Sequence, residues 1–402
     1  MKPIVRAGRM KPVHSDIRGP LFVEAMKRQK QGIDILKLNT GNPATFGFGL
    51  PDSIKNALME HMQDGVGYCD FKGMPQARQA ICDYETSKGI TPDDVFIGNG
   101  VSEVVSFALT PLLNDEDEVL VPSPSYSLWG NSVYLEDGKP VFYTCDEQAN
   151  WYPDIQDIRS KITDKTKAIV IINPNNPTGV LYPKELLLEI IQIARESGLL
   201  IFADEIYDRL VMDGKQHISL ASLTEDVPVI TLNGLSKSHC LCGYRCGWMV
   251  ISGPRELTED YRQGIIQLTS LRLCANTMAQ IVIPAALDDM ETPASMVRPG
   301  GRIYEQREAT VRELEKIDGL SFVKNDAAFY VFPKLDVKKF NITNDKQFAH
   351  DLLDVTNILL VPGSGFDWKN PDHFRIVMLP QADILSDAIR RMGTFLDGYK
   401  QK

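Results

Sequence analysis

A lysine closes the run Asn233-Gly234-Leu235-Ser236-Lys237, just beyond the apolar stretch Val227-Pro228-Val229-Ile230-Thr231-Leu232. That stretch predicts a buried strand, and a lysine delivered by the end of such a strand is poorly placed to serve solubility. Partial desolvation or a nearby cation lowers an amine's pKa and makes it a nucleophile toward carbonyls. Gly243-Tyr244-Arg245-Cys246-Gly247 follows shortly after. Arg245 carries a permanent charge and a rigid fork of donors that suits a phosphate. A reactive lysine beside a phosphate-seeking arginine suggests pyridoxal phosphate, whose aldehyde forms a Schiff base with lysine. An ordinary loop lysine and a surface arginine fit the pair equally well, so other residues decide.

Asp204 ends the apolar run Leu199-Leu200-Ile201-Phe202-Ala203 and is followed by Glu205-Ile206-Tyr207. A carboxylate at the buried end of a strand is costly unless it meets a cation, and a protonated pyridine nitrogen would be one. Tyr207 is placed to donate to the cofactor's phenolate oxygen. By themselves a helix-capping Asp and a packing Tyr are the plainer reading. Asn173-Pro174-Asn175-Asn176-Pro177-Thr178-Gly179 forms a rigid turn, because each residue before proline is pushed away from helix. Asn176 in that turn would touch both the cofactor oxygen and a substrate carboxylate.

Gly98-Asn99-Gly100-Val101-Ser102-Glu103 separates a strand from a helix. Gly100 allows close backbone approach to an anion, and the helix start supplies free N–H groups. Gly100, Val101 and Ser102 are read as one wall of a phosphate cup whose other wall includes Arg245. A plain strand-to-helix turn capped by Ser102 is the competing account. Tyr126, in Pro122-Ser123-Pro124-Ser125-Tyr126, is either a ring that stacks on the pyridine or a buried aromatic plug. Arg375 interrupts the apolar pattern Phe374-Arg375-Ile376-Val377 and needs a carboxylate. A substrate α-carboxylate would supply it bidentately; an internal salt bridge is the alternative.

The elements that must position these residues follow from the hydrophobic pattern. Between about 92 and 252, short apolar runs alternate with amphipathic segments. Strands are predicted at 95–97, 118–121, 168–172, 199–203, 229–232 and 248–251, with helices at 102–113 and 183–196. Near-continuous β-branched runs indicate strands covered on both faces. Alternating strand and helix indicates a doubly wound, mostly parallel α/β sheet, whose ligands bind at the carboxyl ends of its strands. Beyond residue 296 the pattern changes to a smaller α+β domain of about 100 residues. The expected division is an N-terminal segment, 1–45, packing on the small domain; a large α/β domain, 46–295; and the small domain, 296–402.

The chain has 402 residues, 43% hydrophobic and 24% charged, with a formal charge of −10. Two domains are the natural prior for that length. The acidity argues against a nucleic-acid or anionic-membrane surface. Met1 to Ser15 is basic without an apolar core, which is unlike a secretory signal, and no run reaches the roughly 18 apolar residues of a membrane helix. The protein is expected to be cytoplasmic. Seven cysteines in that setting are not expected to form a disulfide framework. Cys240-x-Cys242-x-x-x-Cys246 lacks the second ligand pair of a zinc site, so no metal is assigned.

Assembled in this order and spacing, from Gly41-Asn42-Pro43 through Arg375, the chain resembles class I, fold type I pyridoxal-phosphate aminotransferases. The resemblance implies a Schiff base on Lys237, Asp204 at the pyridine nitrogen, and Tyr207 and Asn176 at the phenolate oxygen. Arg245, Ser236 and the Gly100–Ser102 turn would hold the phosphate, and Tyr126 would join the cofactor site. Arg375 and Gly41 would lie at the substrate. It also implies a homodimer in which Tyr68 reaches the partner's phosphate. The runs Asp16-Ile17-Arg18-Gly19-Pro20, Gly41-Asn42-Pro43-Ala44-Thr45-Phe46-Gly47-Phe48, Ser270-Leu271-Arg272-Leu273-Cys274-Ala275-Asn276 and Pro299-Gly300-Gly301-Arg302 are similar to the alanine (glutamate–pyruvate) branch. That implies amino transfer from glutamate to pyruvate, with Arg18 on a closing segment and Arg272 meeting a distal carboxylate. The same fold acting on aspartate, aromatic or branched-chain amino acids, or as a lyase, stays open. Cys242 and Cys246 beside Arg245, and Asp326-Ala327-Ala328 where a glycine is common, depart from the pattern.

Overall fold

The computed structural model describes residues 3–402. Its centre is an eight-stranded sheet: β1 (Val95–Asn99), β2 (Glu118–Ser123), β3 (Lys139–Asp146), β4 (Tyr152–Pro153), β5 (Thr166–Ile172), β6 (Leu200–Asp204), β7 (Val229–Gly234) and β8 (Cys246–Ser252). Their spatial order is β1-β8-β7-β6-β5-β2-β3-β4. The five strands from β7 to β3 in that order run parallel; β8 is antiparallel to both β1 and β7, and β4 to β3. All six strands predicted from sequence are present. β3 and β4 were not expected. β3 carries Pro140 and alternates buried with half-buried positions, so its sequence lacks a continuous apolar run.

Both faces of the sheet are covered, as β-branched runs require. In β5, Ala168, Val170 and Ile172 join one core with Val104, Val105 and Leu109, from the helix Val101–Leu109. Ile169 and Ile171 face another, with Leu187, Ile190 and Ala194 from the helix Lys184–Ser197. Burying one such aliphatic side chain contributes about 1.5–3 kcal/mol. The strand ends are therefore held rigidly, and polar residues at those ends inherit fixed positions.

A second, three-stranded sheet has β11 (Phe374–Val377) between β9 (Tyr330–Val331) and β10 (Val361–Pro362), all antiparallel. The helices Arg302–Leu314, Asp345–Thr356 and Ala382–Asp397 contribute Leu314, Phe348, Leu352, Ile389 and Met392 to a core with Phe374 and Ile376. The N-terminal strand Leu36–Lys37 pairs in parallel with Ile358–Leu359, and Leu38 O accepts from Val377 N at 3.1 Å. This pairing leads Asn39 to Gly41 toward β11.

The two sheets meet at the Asn173–Gly179 turn. Gly179 O accepts from both Asp326 N (3.0 Å) and Ala327 N (2.8 Å). The next residue, Ala328, is buried with φ of 57°, a left-handed conformation that side chains disfavour. Among the described residues no single helix is long and apolar enough to cross a membrane.

Candidate active site

The predicted site residues gather along one edge of the large sheet, at the carboxyl ends of its parallel strands. Gly100 follows β1, Tyr126 follows β2, Asn176 follows β5, Asp204 ends β6 and Lys237 follows β7. Arg245 joins them because β8 is antiparallel and begins at this edge. Such an edge is where open α/β sheets bind ligands, since helix starts and loops converge there.

Lys237 sits on the single-turn helix Leu235–Ser238, beside the buried Ser236. Its Nζ donates to Gly41 O at 2.8 Å and lies 3.8 Å from Cys242 Sγ. Burial pushes the ammonium's pKa down, yet Tyr330, Cys242 and Tyr126 outweigh it and hold the group above its ordinary value. The sequence argument anticipated a lowered pKa. Here Arg375, which lowers it, is the weakest of these influences.

Asp204 is buried, and burial pushes its carboxyl up to about 6. The Trp129 indole donates to Oδ2 at 3.0 Å, and Ile206 N to Oδ1 at 3.4 Å. Among the described residues no cation pairs with it. Tyr207 places its hydroxyl 2.9 Å from that of Tyr330, and burial followed by the Tyr330 phenol drives its pKa well up.

Arg375 is 1% exposed and, among the described residues, has no acidic partner. It donates to Asn176 Oδ1 at 3.0 Å and to Asn39 O, while its Nε has no partner. The guanidinium lies between the rings of Tyr330 (4.5 Å) and Phe366 (4.6 Å). Burial lowers its pKa. An arginine so stacked and desolvated is costly unless a carboxylate arrives.

Arg245 donates to Cys242 O at 2.9 Å and is otherwise exposed. A Cβ built on Gly100 would fall 2.4 Å from its Nη2, and Gly100 has φ of 85°. Only glycine permits both the turn and the close guanidinium. Val101 and Ser102 begin the helix here, so their N–H groups are free of helical partners. The result is a concave cup of backbone donors and one cation.

Three further predicted residues make no hydrogen bond to Lys237, Asp204 or Arg375. Arg272, expected to meet a distal carboxylate, is instead paired with Glu103 Oε2 at 2.7 Å and donates to the carbonyls of Phe71 and Ile97. That pairing engages Nη1, while the buried Nε has no hydrogen-bond partner among the described residues. Arg18 is exposed on the turn at 16–19 and makes no hydrogen bond with the described residues. Tyr68 is 84% exposed. Conversely, Trp129 and Tyr330 touch the site and were not foreseen. The only signal was that buried indole N–H and phenol O–H groups need partners. Of the departures noted in the sequence, Cys246 is buried and its thiol pushed up to about 12, whereas Cys242 Sγ lies 3.8 Å from Lys237 Nζ.

The profile of the family "Aminotransferase class I and II" matches residues 33–389. The chain belongs to that family. It is 49% identical over 404 residues to the glutamate-pyruvate aminotransferase AlaA of Haemophilus influenzae, with all of both chains covered. A solved aminotransferase from Escherichia coli superposes with a TM-score of 0.98 at 46% identity, covering all of both chains. The alanine aminotransferase of Pyrococcus furiosus gives 0.92 at 40% identity, covering 98% of this chain and 100% of that one. The fold is the fold type I α/β arrangement, and aminotransferases of this family depend on pyridoxal 5'-phosphate. The residues fit that group. An unpaired buried Asp204 suits a protonated ring nitrogen, the Gly100–Arg245 cup suits a phosphate, and the orphaned Arg375 Nε suits a substrate carboxylate.

Proposed function

We propose that this aminotransferase moves the amino group of glutamate to pyruvate, reversibly, giving alanine and 2-oxoglutarate. Bound pyridoxal phosphate would supply an aldehyde for the amine and a protonated ring that accepts an electron pair. The Lys237 amine would hold that aldehyde and, when free, would take the proton from the substrate Cα and later return it. One amine serves as base and then as acid. Asp204 keeps the ring nitrogen protonated, and Tyr207 and Asn176 hold the phenolate oxygen. Arg245, Ser236, Gly100, Val101 and Ser102 hold the phosphate, with Tyr126 against the ring. Arg375 grips the α-carboxylate beside Gly41.

The observation that carries the amino-acid part is Arg375, buried without an acid and bonded to Asn176 at 3.0 Å. The choice of glutamate and pyruvate rests on full-length relatives that bear those names. With Arg272 engaged by Glu103, Arg18 is left to meet the distal carboxylate of glutamate. A homodimer would complete the site: Tyr68 is exposed, as are Met62, Val66, Leu271 and Leu273, and it would reach the partner's phosphate. A cytoplasmic setting accords with seven free cysteines.

Mixing the cofactor-loaded enzyme with single amino acids, and following the cofactor's absorbance, tests the reading. Glutamate and alanine should convert it fastest. Preference for aspartate, aromatic or branched-chain amino acids would overturn the substrate choice. Repeated release of pyruvate together with ammonia, beyond one equivalent per site and without an oxo-acid acceptor, would indicate a lyase.

A further inference from the structure

Tyr330 adjoins Tyr207, Arg375 and Gly41. It is buried on β9, paired with Val377 of β11. Its hydroxyl lies 2.9 Å from that of Tyr207 and makes no other hydrogen bond among the described residues. Its ring faces the Arg375 guanidinium at 4.5 Å. A Cβ on Gly41, whose carbonyl holds Lys237, would stand 2.2 Å from the same hydroxyl. Glycine at 41 is what leaves room for it.

Each phenol has one proton to give. If Tyr207 gives its proton to the cofactor's phenolate oxygen, it enters the Tyr207–Tyr330 pair only as acceptor. Tyr330 must then be the donor. A hydroxyl that accepts a hydrogen bond becomes a stronger donor in turn. We propose that Tyr330 is a positioning residue whose hydroxyl donates to Tyr207, committing the Tyr207 proton to the cofactor, while its ring holds the Arg375 fork flat for the substrate carboxylate. This rests on the reading that Tyr207 meets the phenolate oxygen. The charged groups that bear on the pair are Arg375, Asp204 and Lys237, with Tyr126 and Cys242 acting in turn on Lys237; Phe329 packs on both rings.

Tyr330→Phe removes only the oxygen and keeps the ring under Arg375. A weaker Tyr207 donor leaves the phenolate more basic, so it holds its shared proton to higher pH. In the loaded enzyme, the midpoint of the visible absorbance titration should rise by about half a pH unit, a roughly threefold change. The apoenzyme should bind pyridoxal phosphate several-fold more weakly, and kcat should fall while KM for amino acids moves less than about twofold. Tyr330→Leu, which also removes the ring, should raise KM. In a Tyr207→Phe background the hydroxyl deletion should shift the midpoint no further, because its route is gone. An unchanged midpoint in Tyr330→Phe, or an equal shift in both backgrounds, overturns the proposal. A visible titration that survives Lys237→Ala would instead defeat the active-site reading itself.

Discussion

Asp204 receives the indole N–H of Trp129 on Oδ2 at 3.0 Å, and after burial that bond is the largest influence on its protonation. The indole belongs to the helix Leu128–Leu135, which follows β2, and the carboxylate to the end of β6. Strand ends on either side of β5 thus combine to hold one charge. A hydrogen bond to a charged group contributes about 1.5–3 kcal/mol.

Trp129→Phe should therefore weaken pyridoxal phosphate binding by about tenfold, the low end of that range, with the fold intact. Titrating apoenzyme with cofactor measures it. A change below twofold would show that the indole merely packs.

Asp204→Asn should separate stability from activity. The native carboxyl is raised from 3.8 to about 6, so between those values the folded chain binds more protons than the unfolded chain. Stability from this group then falls as pH rises through the window, by roughly 3 kcal/mol once both are passed. Buried Glu85, at about 7, acts in the same direction. Apoprotein carrying Asp204→Asn should melt higher than wild type at pH 8 and near it at pH 4, while losing turnover. Equal melting at pH 8 would contradict the burial argument.

Arg375→Lys keeps the charge but loses the planar fork between Tyr330 and Phe366. Amino-acid KM should rise by about two orders of magnitude, and Arg375→Ala should be no better. Steady-state kinetics with glutamate and alanine read this directly. An unaltered KM would remove Arg375 from the substrate site.

His14 ties the N-terminal segment to the rest of the chain. Its Nε2 lies 3.1 Å from Asp367 Oδ1, its backbone exchanges hydrogen bonds with Asn131, and Asp16 pairs with Lys346. The Asp367 hydrogen bond raises the His14 pKa above 6.5 against partial burial. Docking from this group is complete below 6.5 and lost as pH rises through the higher folded value. Hydrogen exchange over residues 7–19 should accelerate from pH 6.5 to 8.5 beyond the intrinsic rate change. His14→Gln should flatten that excess; a variant as pH-sensitive as wild type would exclude His14.

The residues that sequence made legible are those whose chemistry conflicts with their surroundings. Lys237, Asp204 and Arg375 are charges in apolar runs, and Asn176 lies in a turn more specific than turning requires. Trp129 and Tyr330 were hidden because buried aromatics are ordinary in a core, and only their hydrogen-bond partners reveal a role. The ion pair of Arg272 was not legible either, because its partner Glu103 lies far off in sequence. β3 escaped because it is half covered and so lacks the continuous apolar run that marked its neighbours.

Arg375 stands on the small sheet and Lys237 on the large one, so no single element sets the span between carboxylate grip and reactive amine. That span is fixed by a seam of contacts: Arg375 with Asn176, Tyr330 with Tyr207, and Gly179 O with Asp326 and Ala327. The site behaves as a caliper whose jaws are mounted on separate bodies. Substitutions at Gly179, Asp326 or Ala327, to which no contact with substrate is assigned, will therefore reset which side chains fit between the jaws.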